Sequence, residues 1–316
     1  MRAADIDRLL DTCLERLALP TGALRRGKVR DVVELGDELL IVTTDRISAF
    51  DRVLTTIPCK GEVLNTLSLH WFRATADIVP NHVREEVSAR TVRAVHCDVL
   101  PVEVVVRGYL TGSAWRDYQK GSAVSGITLP PGMRFNQRFE RPLLTPSTKE
   151  MAGVHDRPIS REEILGQGLV PRATWEQVEE ASLALFRRGT ELAARQGLIL
   201  VDTKYEFGIH RGQLVLADEL HTPDSSRYWY ADTYAPRFAS GEPQRELDKE
   251  YLRQWLLARG WSGDGAPPAI PDDVRRETAG KYIDAWEKIT GQEFVPRAGT
   301  EQEELSLIAS RLSAGA

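Results

Sequence analysis

The sequence predicts an α+β protein of two closely packed lobes, a β-rich N-terminal lobe over residues 1–100 and a larger α+β lobe over residues 101–316. Three observations lead there. A length of 316 residues is more than one compact core usually needs and suits two, with small ligands expected in a cleft between them. Strand-like runs dominate the first hundred residues, on either side of a Gly36-Asp37 turn. Helical periodicities dominate after residue 174, interrupted by one strand-rich stretch at 198–219.

Taken in order, Ile6, Leu9, Leu10, Cys13, Leu14 and Leu17 stand at helical spacing and predict one amphipathic helix, stopped by Pro20 and Gly22. The run RRGKVRDVVELGDELLIVTTD predicts a hairpin with positive φ at Gly36, and segments near 86–95 and 102–107 complete the N-terminal sheet. Residues 121–146 are rich in Pro and Gly without a period, which predicts a long ordered loop or a segment ordered by ligand. Thr174 and Gln177 form a capping-box pair ahead of a stripe at Val178, Ala181, Ser182, Leu185 and Leu192, so a helix runs to about Gly197. Helices follow at 251–257, 274–289 and 301–312, and no repeat is present.

A formal charge of -5 gives no global attraction to nucleic acid or anionic lipid. The first residues lack the apolar core of a secretory signal, and no run of about 18 apolar residues would span a membrane. A cytoplasmic protein is expected, without nucleic-acid or membrane partners. Cys13, Cys59 and Cys97 fit neither a disulfide framework nor a zinc pattern and read as ordinary thiols. His70, His82, His96 and His155 lack metal-ligand spacing and read as structural or surface histidines.

The stretch VDTKYEFGIHRGQLVLADE places two strand patterns around His210-Arg211-Gly212. With these three as the loop, Ile209 pairs with Gln213. Tyr205, Phe207, Ile209, Val215 and Ala217 then share an apolar face, opposite Asp202, Lys204, Glu206, Leu214, Leu216 and Asp218. A two-residue loop would move Asp218 to the apolar side. Carboxylates at 206 and 218 with Lys204 suit a magnesium-nucleotide site, since Mg²⁺ takes few protein carboxylates and completes its shell with phosphate oxygens. A solvated face of cross-strand ion pairs explains the same residues.

Other polar clusters carry two readings each. Lys28 and Arg30, on one strand face behind Gly27, suit a triphosphate or a solvated strand. Asp45 and Ser48 follow a strand, where ligand contacts or turn capping both fit. Arg107 and Ser113 flank two glycines in RGYLTGS, an anion clamp or a turn with an ion pair. Lys149 ends TPSTK, while Asp224 and Arg227 lie in TPDSSR, each an anion cradle or a capped turn.

Together, GKVRD, TDRISAFD, VEVVVRGYLTGSAW, TPSTKE, VDTKYEFG and ADELHTPDSSRYW resemble the ordered motif set of the phosphoribosylaminoimidazole-succinocarboxamide synthase (SAICAR synthetase) family. The similarity runs over about residues 26–255 and is closest to the longer branch, with the TPDSSR motif and an extended C-terminal helical part. The resemblance implies a β-rich lobe covering the nucleotide, somewhat as in protein kinases and ATP-grasp enzymes. It implies an ATP-dependent ligase of purine biosynthesis that joins the carboxylate of the ribonucleotide CAIR to L-aspartate through an acyl phosphate, giving SAICAR, ADP and phosphate. ATP and Mg²⁺ are the implied cofactors, CAIR and L-aspartate the small-molecule partners, and a monomer or small homo-oligomer the expected state. Carried over residue by residue, Lys28 and Arg30 meet ATP phosphates, Glu206 and Asp218 hold Mg²⁺, and Lys204 lies by the nucleotide. Arg107, Ser113 and Arg227 meet substrate anions, with Asp45, Ser48, Lys149 and Asp224 as further candidates. A small-molecule kinase using the same hairpin and a nucleotide-sensing module without turnover are the competing readings; a requirement for aspartate excludes the first, and turnover the second.

Overall fold

The computed structural model describes residues 6–17, 24–50, 52–149, 157–247 and 250–314; Pro20, Gly22 and His155 lie outside them. It divides into two units. The first comprises residues 1–70, 82–96 and 248–316, the second 71–81 and 97–247.

In the first unit, β1 (Leu24–Arg26), β2 (Arg30–Leu35) and β3 (Glu38–Thr43) form a meander. β4 (Arg46–Ala49) and β5 (Arg52–Thr56) make a separate ribbon, and β6 (Val83–Glu86) and β7 (Thr91–Val95) complete an antiparallel sheet in the order β1-β2-β3-β7-β6. Leu35 pairs with Glu38 across the expected turn, and Gly36 takes a φ of 67°. Because Val33 faces Leu40 and Asp31 faces Val42, these four share one buried side of the β2–β3 pair. Leu14, Leu17, Val87 and Ile308 pack with its three apolar members.

The expected opening helix does not persist. Helical backbone ends with a short 3₁₀ turn at Leu10–Thr12, and Cys13 is extended at φ -60° and ψ 131°. Two buried carboxylates account for this. Leu14 donates its N–H to Asp45 at 2.7 Å and Leu17 its N–H to Asp31 at 3.2 Å. Charge-assisted bonds of this kind outcompete the helical carbonyl partner. The apolar spacing thus buries Ile6, Leu14 and Leu17 without a continuous helix.

In the second unit, β8 (Asp98–Tyr109), β9 (Arg138–Leu144), β10 (Ser147–Thr148), β11 (Leu198–His210), β12 (Gln213–Ala217) and β13 (Ser226–Tyr230) form one antiparallel sheet. The path is β10-β8-β11-β12, with β9 also on β8 and β13 also on β11. Residues 102–107 therefore belong to this sheet, not to the N-terminal one, because β8 finds its partner in β11. Residues 121–146 are ordered by packing of their own: Val124 and Phe139 join Leu110 and Ala114 in a small core, and β9 forms within the stretch. The helix Arg172–Arg195 starts after Pro171, whose φ of -57° suits a helix entry, and Thr174 is already inside it. The capping box lies instead at Ser160 and Glu163, ahead of the short helix Arg161–Gly166. The helices Glu250–Leu257, Asp272–Thr290 and Glu301–Ala314 form as expected. No helix among the described residues is long and apolar enough to cross a membrane.

Asp45 is 1% exposed. Its carboxylate accepts from Leu14 N, from Gly61 N at 2.9 Å and from Arg90 at 2.8 Å. Replacing it by Ala strands the buried Arg90 guanidinium and frees two backbone donors, so Asp45→Ala is expected to cost about 3–5 kcal/mol of stability. Urea unfolding followed by tryptophan fluorescence checks this, and a loss below about 1 kcal/mol contradicts the role.

Candidate active site

The second unit's sheet gathers charged side chains on one face through its register. Along the β8–β11 ladder Arg107 lies opposite Asp202, Val105 opposite Lys204 and Glu103 opposite Glu206. Opposed residues point the same way and every second residue repeats the direction, so these six share a face. β13 adds Arg227 opposite Asp202, and β12 adds Ala217 opposite Glu206. Asp202 and Glu206 are four residues apart, about 13 Å along the strand. Irregularities bound the face at both ends, between Leu200 and Asp202 against β13 and between Glu206 and Gly208 against β8.

One end is cationic. Arg107, 8% exposed, donates through Nε to Thr145 at 2.9 Å, through one terminal nitrogen to Ser113 at 3.0 Å, and through the other to Asp202 at 3.4 Å. Arg227 approaches Asp202 with Nε at 3.0 Å and a terminal nitrogen at 2.9 Å. The other end is acidic. Lys204 Nζ bridges Glu103 at 2.7 Å and Glu206 at 2.9 Å, and Lys149 takes the second oxygen of Glu206.

These contacts set the charge states. Burial works against a charged Lys204, but the carboxylates of Glu206, Glu103 and Asp218 outweigh it and raise its pKa. Burial also opposes ionised Glu206, yet Lys204 and Lys149 hold its pKa below the ordinary carboxylate value. Arg107 is shifted down, first by burial and then by Arg227, against the pull of Asp202.

The hairpin corrects one expected register. His210 pairs with Gln213 and Ile209 with Leu214, so the loop is the two residues Arg211 and Gly212. Their φ values of 50° and 80° give the pair of left-handed residues that a tight hairpin turn requires. Leu214 and Leu216 consequently lie on the side of Phe207 and Ile209, whereas Val215 and Ala217 move to the side of Glu206. Asp218 nevertheless stays within electrostatic reach of Lys204. β12 ends at Ala217, and a φ of 62° at Asp218 breaks the strand alternation that would have turned it to the apolar side.

The remaining candidates lie on other elements. Lys28 is exposed in the turn between β1 and β2, where Gly27 N–H bonds Arg30 C=O at 2.7 Å, so strand alternation does not set its direction. Arg30 begins β2 and is half-buried. Ser48 is half-buried in β4, and Asp45 is the buried structural carboxylate already described. Asp224 is half-buried in a turn, its N–H donating to Thr222 at 3.2 Å. Lys28, Arg30, Asp45 and Ser48 belong to the first unit, the other candidates to the second. Two members of the face, Glu103 and Asp202, are not among the sequence candidates. Glu103 is the lone acid in the apolar run PVEVVV, a pattern that signals a purposeful buried charge.

Among the described residues no three His, Cys, Asp or Glu side chains form a metal cage. The donors present fit Mg²⁺ of another kind, since an ion carried with phosphates needs only one or two carboxylates from the protein. Glu206 and Asp218, both within electrostatic reach of Lys204, would supply that set.

A face with paired arginines at one end and carboxylates with lysines at the other has the chemistry of a site for anionic reactants. The family model described as SAICAR synthetase matches residues 23–268. A phosphoribosylaminoimidazole-succinocarboxamide synthase of Bacteroides thetaiotaomicron is 49% identical over 291 residues, 90% of this chain and 91% of that protein. One from Legionella pneumophila (strain Lens) is 47% identical over 290 residues, 90% and 92% of the two chains. The solved structure of the SAICAR-synthase from Saccharomyces cerevisiae complexed with SAICAR aligns with a TM-score of 0.79 at 35% identity, covering 90% of this chain and all of that one. The chain belongs to the SAICAR synthetase family. It is accordingly an ATP-dependent carbon–nitrogen ligase of purine biosynthesis that joins CAIR to L-aspartate.

The depressed Glu206 pKa links stability to acid. Its ion pairs contribute fully above the unfolded carboxylate value of 4.5 and are lost as pH falls below it. Buried His221, pushed down by desolvation to about 3 from 6.5, acts in the same direction between those values, because only the unfolded chain takes up its proton there. The urea midpoint is expected to fall steadily from pH 6.5 toward pH 3. Glu206→Gln should flatten only the part below 4.5, and a midpoint independent of pH over this range contradicts both assignments.

Proposed function

We propose that the two ends of this face divide the substrates. The acidic end, Glu206 and Asp218 with Lys204, receives the magnesium nucleotide, and Lys28 and Arg30 contact its phosphates. The cationic end, Arg107, Ser113 and Arg227, binds carboxylate and phosphate groups of CAIR and aspartate, with Lys149, Ser48 and Asp224 as further contacts. The observation that supports this reading most directly is Lys204, midway along the face and tied to both Glu103 and Glu206. Asp45 was also a candidate, but its carboxylate already holds Leu14, Gly61 and Arg90, so its contribution is structural, just ahead of the strand that carries Ser48.

In this reading the γ-phosphoryl group passes to the imidazole carboxylate, and the neutral aspartate amine then displaces phosphate to form the amide. Bound Mg²⁺ neutralises charge on the phosphates. Lys204 stays protonated throughout, raised by its acidic neighbours, so it serves as a fixed cation and not as a base. Glu206 stays ionised beside two lysines, the charge state a hard cation would need of it. In-line placement and charge neutralisation lower the barrier without a covalent enzyme intermediate. We place the reaction in the cytoplasm, run by a monomer or small homo-oligomer.

Mixing the protein with Mg-ATP, CAIR and aspartate and following SAICAR by mass tests the assignment through two variants. Glu206→Gln is expected to leave the fold intact and lower turnover by about a hundredfold or more. Near-normal turnover removes Glu206 from the metal site. Arg107→Ala is expected to raise KM for CAIR or aspartate about tenfold or more, with a smaller effect on kcat. Unchanged KM for both substrates removes Arg107 from the anion site.

A further inference from the structure

We infer that Asp202 is a positioning residue that holds Arg107 and Arg227 together as one two-guanidinium clamp for a carboxylate or phosphate of the substrates. The inference rests on the reading of these arginines as substrate contacts.

The register brings the three residues into one row across β8, β11 and β13, Arg107 and Arg227 each opposite Asp202. Two guanidinium groups side by side repel, and a third charge of opposite sign is needed to keep them there. Asp202 supplies it from the strand between them. It is 6% exposed, and both its oxygens face guanidinium nitrogens of the two arginines. Arg227 meets it as a fork, Nε at 3.0 Å and a terminal nitrogen at 2.9 Å, the geometry that fixes a guanidinium plane. Arg107 meets it with one terminal nitrogen, while Thr145 and Ser113 hold its other two nitrogens. One carboxylate against two guanidinium groups leaves the row with one net positive charge for an incoming anion.

A second feature agrees. Gly112 has a φ of 57°, and a Cβ there would fall 2.2 Å and 2.5 Å from the two terminal nitrogens of Arg227. The backbone is therefore cleared at Gly112 for the Arg227 guanidinium in the orientation that Asp202 dictates. Arg107 is pulled down first by burial, with Asp202 the leading opposing influence and Arg227 acting in the same sense as burial. Asp202 is thus the main charge that offsets the burial of Arg107 beside Arg227.

The test is a double-mutant cycle on the full chain with steady-state kinetics. Asp202→Asn, which keeps the shape and removes the charge, is expected to raise KM for CAIR or for aspartate about tenfold or more. KM for Mg-ATP should stay within about twofold and kcat should fall less than KM rises. Arg227→Gln should raise the same KM. Because Asp202 works through both arginines, with Arg227 already replaced Asp202→Asn acts only through Arg107 and should raise KM by clearly less than it does in the wild-type chain. Multiplying effects, or an equal rise in KM for Mg-ATP, overturns the inference. Should Asp202→Asn fail to accumulate as folded protein, the double variant, which loses one charge of each sign, is compared with Arg227→Gln alone. A further KM rise of about tenfold there overturns the inference as well. If Arg227→Gln raises KM and Asp202→Asn does not, the positioning role alone fails. If Arg227→Gln leaves KM for both substrates unchanged, the reading of the arginines fails and takes this inference with it.

Discussion

The pairing of β8 with β11 is the constraint on which the second unit's chemistry depends. Both strands are long, 12 and 13 residues, and they are paired from Asp202 opposite Arg107 to Ile209 opposite Asp98. A slip of one residue would turn Lys204 and Glu206 into the apolar side and bring Tyr205 and Phe207 out. That alternative is costly, because Tyr205 and Phe207 are almost wholly buried and each aromatic ring contributes on the order of 2–3 kcal/mol by leaving water. Apolar packing on one face of the sheet thus fixes where the charges stand on the other. The site needs no binding energy of its own to be assembled.

Register alone would not keep seven charged groups on a half-buried surface. They persist because the signs alternate in space: Arg107 and Arg227 around Asp202, then Lys204 between Glu103 and Glu206, then Lys149 on the far oxygen of Glu206. Breaking any one link leaves its neighbour desolvated and uncompensated, which costs more than the pair contributes when intact. The first unit uses the same device for shape. Asp31 with Arg46 and Asp45 with Arg90 are buried pairs whose carboxylates also accept backbone N–H groups of residues 14, 17 and 61. There the charges pin an extended segment and the start of the helix Lys60–Ala74.

Which parts were legible from the sequence follows from these forces. Period-2 and period-3.6 patterns report burial, so the β2–β3 hairpin, the long helix before β11 and the C-terminal helices were all visible. The opening segment misled because its apolar spacing was real while its backbone donors were taken by carboxylates that fold in from 14 and 31 residues away. The hairpin loop misled because Arg211, a residue with a Cβ, adopts the left-handed conformation beside Gly212. Its register error still left Lys204, Glu206 and Asp218 correctly grouped, since the strand ends before Asp218 and a second left-handed residue redirects it. Glu103 went unnoticed, and Asp202 was placed on the charged face without its arginines, because their partners are strands apart in sequence and no local pattern announces a pairing between residues 107 and 202.

Such a division of charge matches the difficulty of the reaction. A nucleotide, a carboxylated ribonucleotide and aspartate are all anionic, and each must shed water to approach the others. Arginines held in a fixed plane replace water around planar carboxylates and phosphates by paired bonds. A lysine whose proton is secured by neighbouring acids offers a compact charge that does not move while a phosphoryl group transfers. The acids that secure it are the same groups that suit a hard cation, so one network serves for both tasks. On the proposed division of the substrates, the spacing of about 13 Å between the Asp202 and Glu206 rows would set the reactive centre near Lys204, the cation that stands between the two rows.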